Sequence, residues 1–194
     1  LATVEDASSR GVLGHHLSKG QASALAQIAT SGRQVDLLVG PAGAGKTTAM
    51  RALHTAWTAT HGPGSVVGLA PSAAAAQVLA DDLGIVCDNT AKWLHEHGQG
   101  RAQFIPGQLV IIDEATLAGT HTLDRITGLA TDAGAKVLLV GDWAQLQSVD
   151  AGGAFSMLAA ARDDTPELVE VLRFDHNWEA TATAALRVGE TDVI

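Results

Sequence analysis

The chain of 194 residues has no tyrosine, one cysteine and few aromatics, which make up 4% of it. A lone Cys87 excludes a disulfide framework and a cysteine-based metal site, and a buried small apolar side chain is its plainest role. Cations are also scarce: 12 Lys and Arg stand against 21 Asp and Glu, a formal net charge of −9. That balance gives no general attraction to nucleic acid or acidic membranes, so any hold on a polyanion must come from a local groove. Neither a secretory leader nor an apolar run of about 18 residues is present, which points to a cytoplasmic protein with no membrane partner. The eight histidines supply no metal framework, because His15-His16 and His95-x-His97 miss the i, i+4 spacing of a helical pair.

What is present is strong patterning. With 46% apolar residues and 21 glycines, the chain can bury one substantial core. Helical patterns cover 18–30, 46–60, 72–83, 90–97, 120–133, 153–161 and 176–188, and 98–107 is a polar loop. Between the helices, apolar runs at 36–39, 65–70, 109–113, 136–141 and 168–172 read as strands. This alternation predicts an α/β fold, a three-layer sandwich around a central parallel sheet buried on both faces. Residues 1–17 read as a connecting segment and 18–194 as one domain, with Leu1 and Ile194 suggesting a piece of a longer protein.

Gly40-Pro41-Ala42-Gly43-Ala44-Gly45-Lys46-Thr47-Thr48 joins the first strand to the next helix with the spacing G-x-x-x-x-G-K-[ST]. Each residue type answers a physical need. Gly40, Gly43, Ala44 and Gly45 let backbone N–H groups curl around phosphates, and Lys46 sets a point charge on the β- and γ-phosphates. The Thr47 hydroxyl suits Mg²⁺, and with Thr48 it opens a helix whose positive end favours an anion. The pattern implies a nucleoside triphosphate, ATP with Mg²⁺ being the natural choice; a bare glycine-rich turn is the plain alternative.

Two further strand ends carry polar chemistry. The run 109–113 ends in Asp113-Glu114, on the side of a parallel sheet where ligands collect. Asp113 suits the Mg²⁺ shell and Glu114 a base that polarises water, although a solvated turn would also explain the pair. The run 136–141 leads into Gly141-Asp142-Trp143-Ala144-Gln145-Leu146. There the Gln145 amide, able to donate and accept, suits a γ-phosphate sensor; an ordinary Gly-Asp turn is the alternative.

Taken in order, the phosphate loop, Asp113-Glu114-Ala115 and Gly141-Asp142-x-x-Gln145-Leu146 resemble motifs I, II and III of superfamily 1 helicases. The run GDWAQLQSVDAGGAF at 141–155 resembles the RecD-like branch, most closely the helicase region of conjugative relaxases of the TraI, TraA and TrwC kind. Leu17-Ser18-Lys19-Gly20-Gln21 resembles the Q motif, which implies that Gln21 reads adenine; a capping box explains Ser18 and Gln21 equally and is compatible with that role. Residues 70–79 resemble motif Ia and Asn89-Thr90-Ala91-Lys92-Trp93-Leu94 the Thr motif, both of which touch single-stranded DNA in relatives; Ser72 and Thr90 as N-caps are the plain alternative. Leu172-Arg173-Phe174 resembles motif IV, which implies that Arg173 reaches the γ-phosphate. Trp93, Trp143 and Trp178 are base-stacking platforms or core residues, and Arg33, Arg51, Lys92 and Arg101 track a phosphate backbone or line solvated faces.

The resemblance covers 15–190 and implies a RecA-like domain 1A of an ATP-dependent DNA helicase, moving 5′ to 3′ on single-stranded DNA in conjugative transfer. It implies a second RecA-like domain in cis, because nothing after Arg173 resembles motifs V and VI. It also implies a relaxase domain in cis, because the nicking tyrosine of relaxases has no counterpart here. Hydrolysis by this piece alone is expected to be weak, since part of the charge clamp lies elsewhere. The loop 98–107 is too short for a robust strand-separating pin. Two other readings stay open. One is a nucleotide-binding interaction module without motor activity, against which both carboxylates weigh. The other is a P-loop kinase of a small substrate, for which Gly141 to Leu146 suggests no acceptor site or lid.

Overall fold

Short, uninterrupted apolar runs become strands because only a sheet covered on both faces can bury every side chain they carry. The computed structural model describes residues 17–143 and 153–168. Its strands are β1 (Val35–Val39), β2 (Val66–Ala70), β3 (Cys87–Asn89), β4 (Leu109–Ile112) and β5 (Lys136–Gly141). They form one five-stranded sheet in the order β1-β5-β4-β2-β3, with every pair parallel. The helices are α1 (Lys19–Thr30), α2 (Lys46–His61), α3 (Ala73–Leu83), α4 (Thr90–Gly98), α5 (Thr120–Asp132) and α6 (Ala154–Ala160). A 3-10 turn at Ala115–Leu117 follows β4.

Alternation along each strand splits the core in two. Leu38, Leu109, Ile111, Leu138 and Val140 face α1, α2 and α3, whose Leu25, Ile28, Met50, Leu53 and Leu79 complete one cluster. Leu37, Val110, Ile112, Val137 and Leu139 face the other way, onto Trp93 of α4, Leu123 and Ile126 of α5 and Phe155 of α6. Helices on one face therefore carry the chain from β1 out to β3, and those on the other face carry it back. The expected three-layer parallel sandwich is what forms. Among the described residues, no helix is long and apolar enough to cross a membrane.

Boundaries match the sequence patterns to within about one residue, with two differences. β3 is a short edge strand of Cys87-Asp88-Asn89, outside every apolar run, and it exists because Gly68 of β2 admits it. A Cβ at Gly68 would collide with Cys87 Sγ and come within 2.8 Å of Leu79 Cδ2. Second, the N-cap of α4 is Asn89, whose Oδ1 accepts the Lys92 N–H at 2.8 Å; Thr90 is a buried first-turn residue. Ser72 does cap α3, accepting the Ala75 N–H at 3.1 Å. Between α4 and β4 the described chain forms no hairpin.

The segment ahead of the expected last strand runs along the free side of β1. Val39 pairs with Glu167 in parallel, its N–H donating to Pro166 O at 3.0 Å and its carbonyl accepting from Leu168 at 2.8 Å. Residues 169–172, the expected helix 176–188 and the connecting residues 1–16 lie outside the described residues. At the opposite end of the sheet, Lys136 Nζ stands 2.7 Å from Asp36 Oδ2 in a buried ion pair and also donates to the carbonyls of Ser31 and Arg33. That pair ties β5 to the start of β1, well away from the ligand side.

Candidate active site

Because all strands point the same way, the ends of β1, β4 and β5 open on one side of the sheet, where a cleft of about 500 Å³ lies. Residues 41–43 and 45–48 form one wall, and Asp113, Glu114, Thr116, Gly141 and Asp142 form the other.

The loop wall is built as its sequence demands. Gly43 and Gly45 adopt φ of 84° and 77°, the left-handed region that glycine enters without a Cβ clash. Gly45 is the N-cap of α2 and offers no side-chain cap, so the first-turn N–H groups of α2 are left to a ligand. Thr47 and Thr48 line the cleft on that first turn. Gly40 and Ala44 work from beneath. A Cβ at Gly40 would stand 3.1 Å from Leu168 Cβ, and buried Ala44 donates its N–H to Pro41 O at 3.2 Å. The Lys46 ammonium donates to the carbonyls of Gly40 at 2.6 Å and Pro41 at 3.0 Å, folded over its own loop.

The carboxylate wall has two unlike neighbours. Asp113 is half-buried, and burial pushes its carboxyl pKa up, partly offset by the Glu114 N–H and the Lys46 charge. Its Oδ1 accepts that N–H at 2.9 Å. Glu114 has φ of 51°, the one positive φ outside glycine among the described residues, and its side chain is exposed. A left-handed glutamate costs about 1–2 kcal/mol, a strain typical of sites where a side chain must be aimed. Asp113, a half-buried carboxylate whose ionisation burial opposes, shares the cleft with Thr47, and a carboxylate and a hydroxyl are oxygen donors of the kind a hard divalent cation takes.

Gly141 ends β5 in tight quarters, where an added Cβ would meet Phe155 and Thr116 at 3.2 Å. This packing sets buried Asp142 and Thr116 on the cleft wall. Neither carries an assigned role in the sequence reading; their position just past strand ends was the available signal. Gln145 and Arg173 lie outside the described residues, as does Trp178.

Gln21 is off the cleft wall. The capping box forms, with Ser18 N–H donating to Gln21 Oε1 at 2.9 Å and Gln21 N–H to Ser18 Oγ at 3.2 Å. In addition, Gln21 Nε2 donates to the Gly45 carbonyl at 3.2 Å, and the residue is only 2% exposed.

Of the aromatic candidates, Trp93 belongs to the core, stacked on Phe104 at 3.9 Å and on His97 at 5.2 Å between ring centroids. Trp143, beside Asp142, is 40% exposed. All four candidate cations have acidic or carbonyl partners: Arg33 with Asp164, Arg51 with the Asp82 carbonyl, Lys92 with Asp88 and Arg101 with Glu96.

Known proteins share this organisation. Residues 16–194 match a protein-family model described as an AAA domain. A probable conjugal transfer protein TraA of Sinorhizobium fredii is 35% identical over 173 residues, covering 89% of this chain and 15% of that protein. The ATP-dependent RecD2 DNA helicase of Deinococcus radiodurans is 35% identical over 162 residues, covering 81% of this chain and 22% of that protein. The crystal structure of Pif1 helicase from Candida albicans shares the fold, with a TM-score of 0.64 over 89% of this chain and 44% of that one, at 19% identity. The chain spans less than a quarter of the length of the two curated relatives.

Proposed function

Because this chain belongs to the AAA domain family and is a helicase-like member of it, we propose that it is the first RecA-like motor domain of a DNA helicase acting in conjugative transfer. In the whole protein it couples ATP hydrolysis to movement along single-stranded DNA. The observation that carries the reading is one cleft bringing together Lys46, Thr47, Asp113 and Glu114 from separate strand ends.

The division of labour follows from the chemistry of each group. The first-turn N–H groups of α2 and the glycine loop hold the triphosphate. Lys46 exchanges the carbonyls of Gly40 and Pro41 for phosphate oxygens, a stronger, charge-assisted bond. Thr47 and Asp113 fit Mg²⁺, which when bound neutralises charge on the phosphates. Glu114, exposed and aimed by its strained backbone, orients and deprotonates the attacking water. Gln145 and Arg173 answer to the γ-phosphate.

DNA contact rests on a different edge. The N-termini of α3 and α4 leave the sheet side by side, since Ala70 pairs with Asn89, and present two positive dipole ends to one strip of surface. A second RecA-like domain closes the cleft, and a relaxase domain in cis supplies the nicking chemistry. Titration of Mg²⁺·ATP into the chain tests the core of the proposal. Lys46→Ala should weaken binding about 10- to 100-fold, the worth of a hydrogen bond to a charged group. Equal affinity for both proteins would refute it.

A further inference from the structure

Thr116 lines the cleft, yet the division of labour above leaves it unused. It stands two positions after Glu114 on the 3-10 turn Ala115–Leu117, whose N-cap is that left-handed glutamate. The residue is only 6% exposed, and its two branches meet different surroundings. The methyl is turned to the end of β5, since a Cβ built on Gly141 would stand 3.2 Å from Thr116 Cγ2. The hydroxyl makes no hydrogen bond among the described residues, and unlike those of Thr58 and Ser65 its oxygen is not sealed from solvent. A hydroxyl without a protein partner is unfavourable, so valine, of the same shape, would serve packing at least as well. The partner of this hydroxyl must therefore come through the cleft.

We propose that Thr116 is a catalytic residue that grips the attacking water together with Glu114. The proposal rests on the ATP-hydrolysis reading above and gives the water a second contact. A water has two hydrogens, and a carboxylate that takes one leaves the molecule free to swing about that bond. Thr116 Oγ1 accepts the other, which turns a lone pair of the water oxygen to the γ-phosphorus. Attack forms the bond from that oxygen to phosphorus and breaks the bond from phosphorus to the β–γ bridging oxygen, which leaves with ADP and the electron pair. The released proton goes to Glu114, and Thr116 neither gains nor loses one. Glu114 and Thr116 flank buried Ala115 and line the same cleft, so one short turn carries both acceptors.

The test compares the full-length wild-type enzyme with Thr116→Val and Thr116→Ser. It reads steady-state ATPase, the melting temperature, and equilibrium binding of a non-hydrolysable ATP analogue and of ADP with tetrafluoroaluminate. The last ligand mimics the planar phosphoryl group with a water in line. Thr116→Val keeps the shape and removes the hydroxyl. It should lower kcat about five- to tenfold, the worth of one hydrogen bond, and weaken the tetrafluoroaluminate complex by the same factor. KM and analogue affinity should hold, and the melting temperature should hold or rise. Thr116→Ser keeps the hydroxyl and loses the methyl packed on Gly141, so it should lower the melting temperature while kcat stays within about twofold of the wild type. A purely structural threonine predicts the reverse ranking, a normal Thr116→Val and an impaired Thr116→Ser, and that ranking would overturn the proposal. A Thr116→Val variant whose KM rises while kcat holds would overturn it too, by making Thr116 a ground-state ligand contact. If Thr116→Val does not fold, Thr116→Ala takes its place with the same expected loss of kcat. A wild-type enzyme that binds the analogue and hydrolyses no ATP would instead overturn the hydrolysis reading, and this proposal with it.

Discussion

Asp113 and Glu114 are neighbours in sequence yet meet different surroundings, and the difference predicts different behaviour. Burial raises the Asp113 pKa from its ordinary value, so the folded chain binds that proton more readily than the unfolded chain does. The contribution of Asp113 to stability is therefore full below the unfolded pKa and is lost as pH rises through the folded one. Asp113→Asn keeps an acceptor for the Glu114 N–H and removes the titration. In metal-free protein it should raise the melting temperature at pH 7 and leave it nearly unchanged in acid; a lower melting temperature at pH 7 would contradict this account. Glu114 is exposed and sits on a strained turn. In the full-length enzyme Glu114→Gln should retain ATP binding while turnover falls about 10²- to 10⁴-fold, as read by steady-state kinetics. A loss of binding in step with turnover would mean that Glu114 holds the nucleotide instead.

At the scale of elements, the sheet is held at the end away from the cleft by the Asp36–Lys136 pair. Lys136→Met would leave a buried carboxylate that has lost its ion pair and keeps the Ser31 Oγ–H at 3.2 Å as a hydrogen-bond donor. Urea denaturation should show a loss of about 3–5 kcal/mol, most of it recovered when Asp36→Leu is added; a single variant as stable as the wild type would show that the pair contributes nothing. Which elements could be read from the chain follows from the same physics. β1, β2, β4 and β5 were legible because both faces are buried, leaving apolar runs of three to five residues. β3 was not, because Cys87-Asp88-Asn89 is an edge whose pairing depends on the missing side chain of Gly68. Asn89 and Thr90 are both good N-caps, and only the end of β3 decides between them. Lys46, Thr47, Asp113 and Glu114 were legible because motif spacing and strand polarity bring them to one side. The Gln21–Gly45 bond was not, because it joins residues 24 apart through the packing of α1 on α2, which no local pattern encodes.

At the scale of the molecule, the chain carries a net charge of −9, and its candidate DNA-tracking cations are already engaged with acids or carbonyls. Its own grip on a polyanionic strand should therefore be weak, and the proposed motor would take its firm hold on DNA from elsewhere in the whole protein. The same holds for catalysis. In the proposed motor, closure by a second domain would supply further charges that a loose phosphoryl-transfer transition state requires. ATP hydrolysis and DNA engagement should then be coupled in the full-length protein and uncoupled in this domain. The most direct test is the steady-state ATPase rate of the full-length protein with and without single-stranded DNA, in the wild type and in Lys46→Ala. Single-stranded DNA should raise the rate at least tenfold in the wild type, and Lys46→Ala should lower it about 100-fold or more. A rate indifferent to DNA, or full turnover in Lys46→Ala, would contradict it.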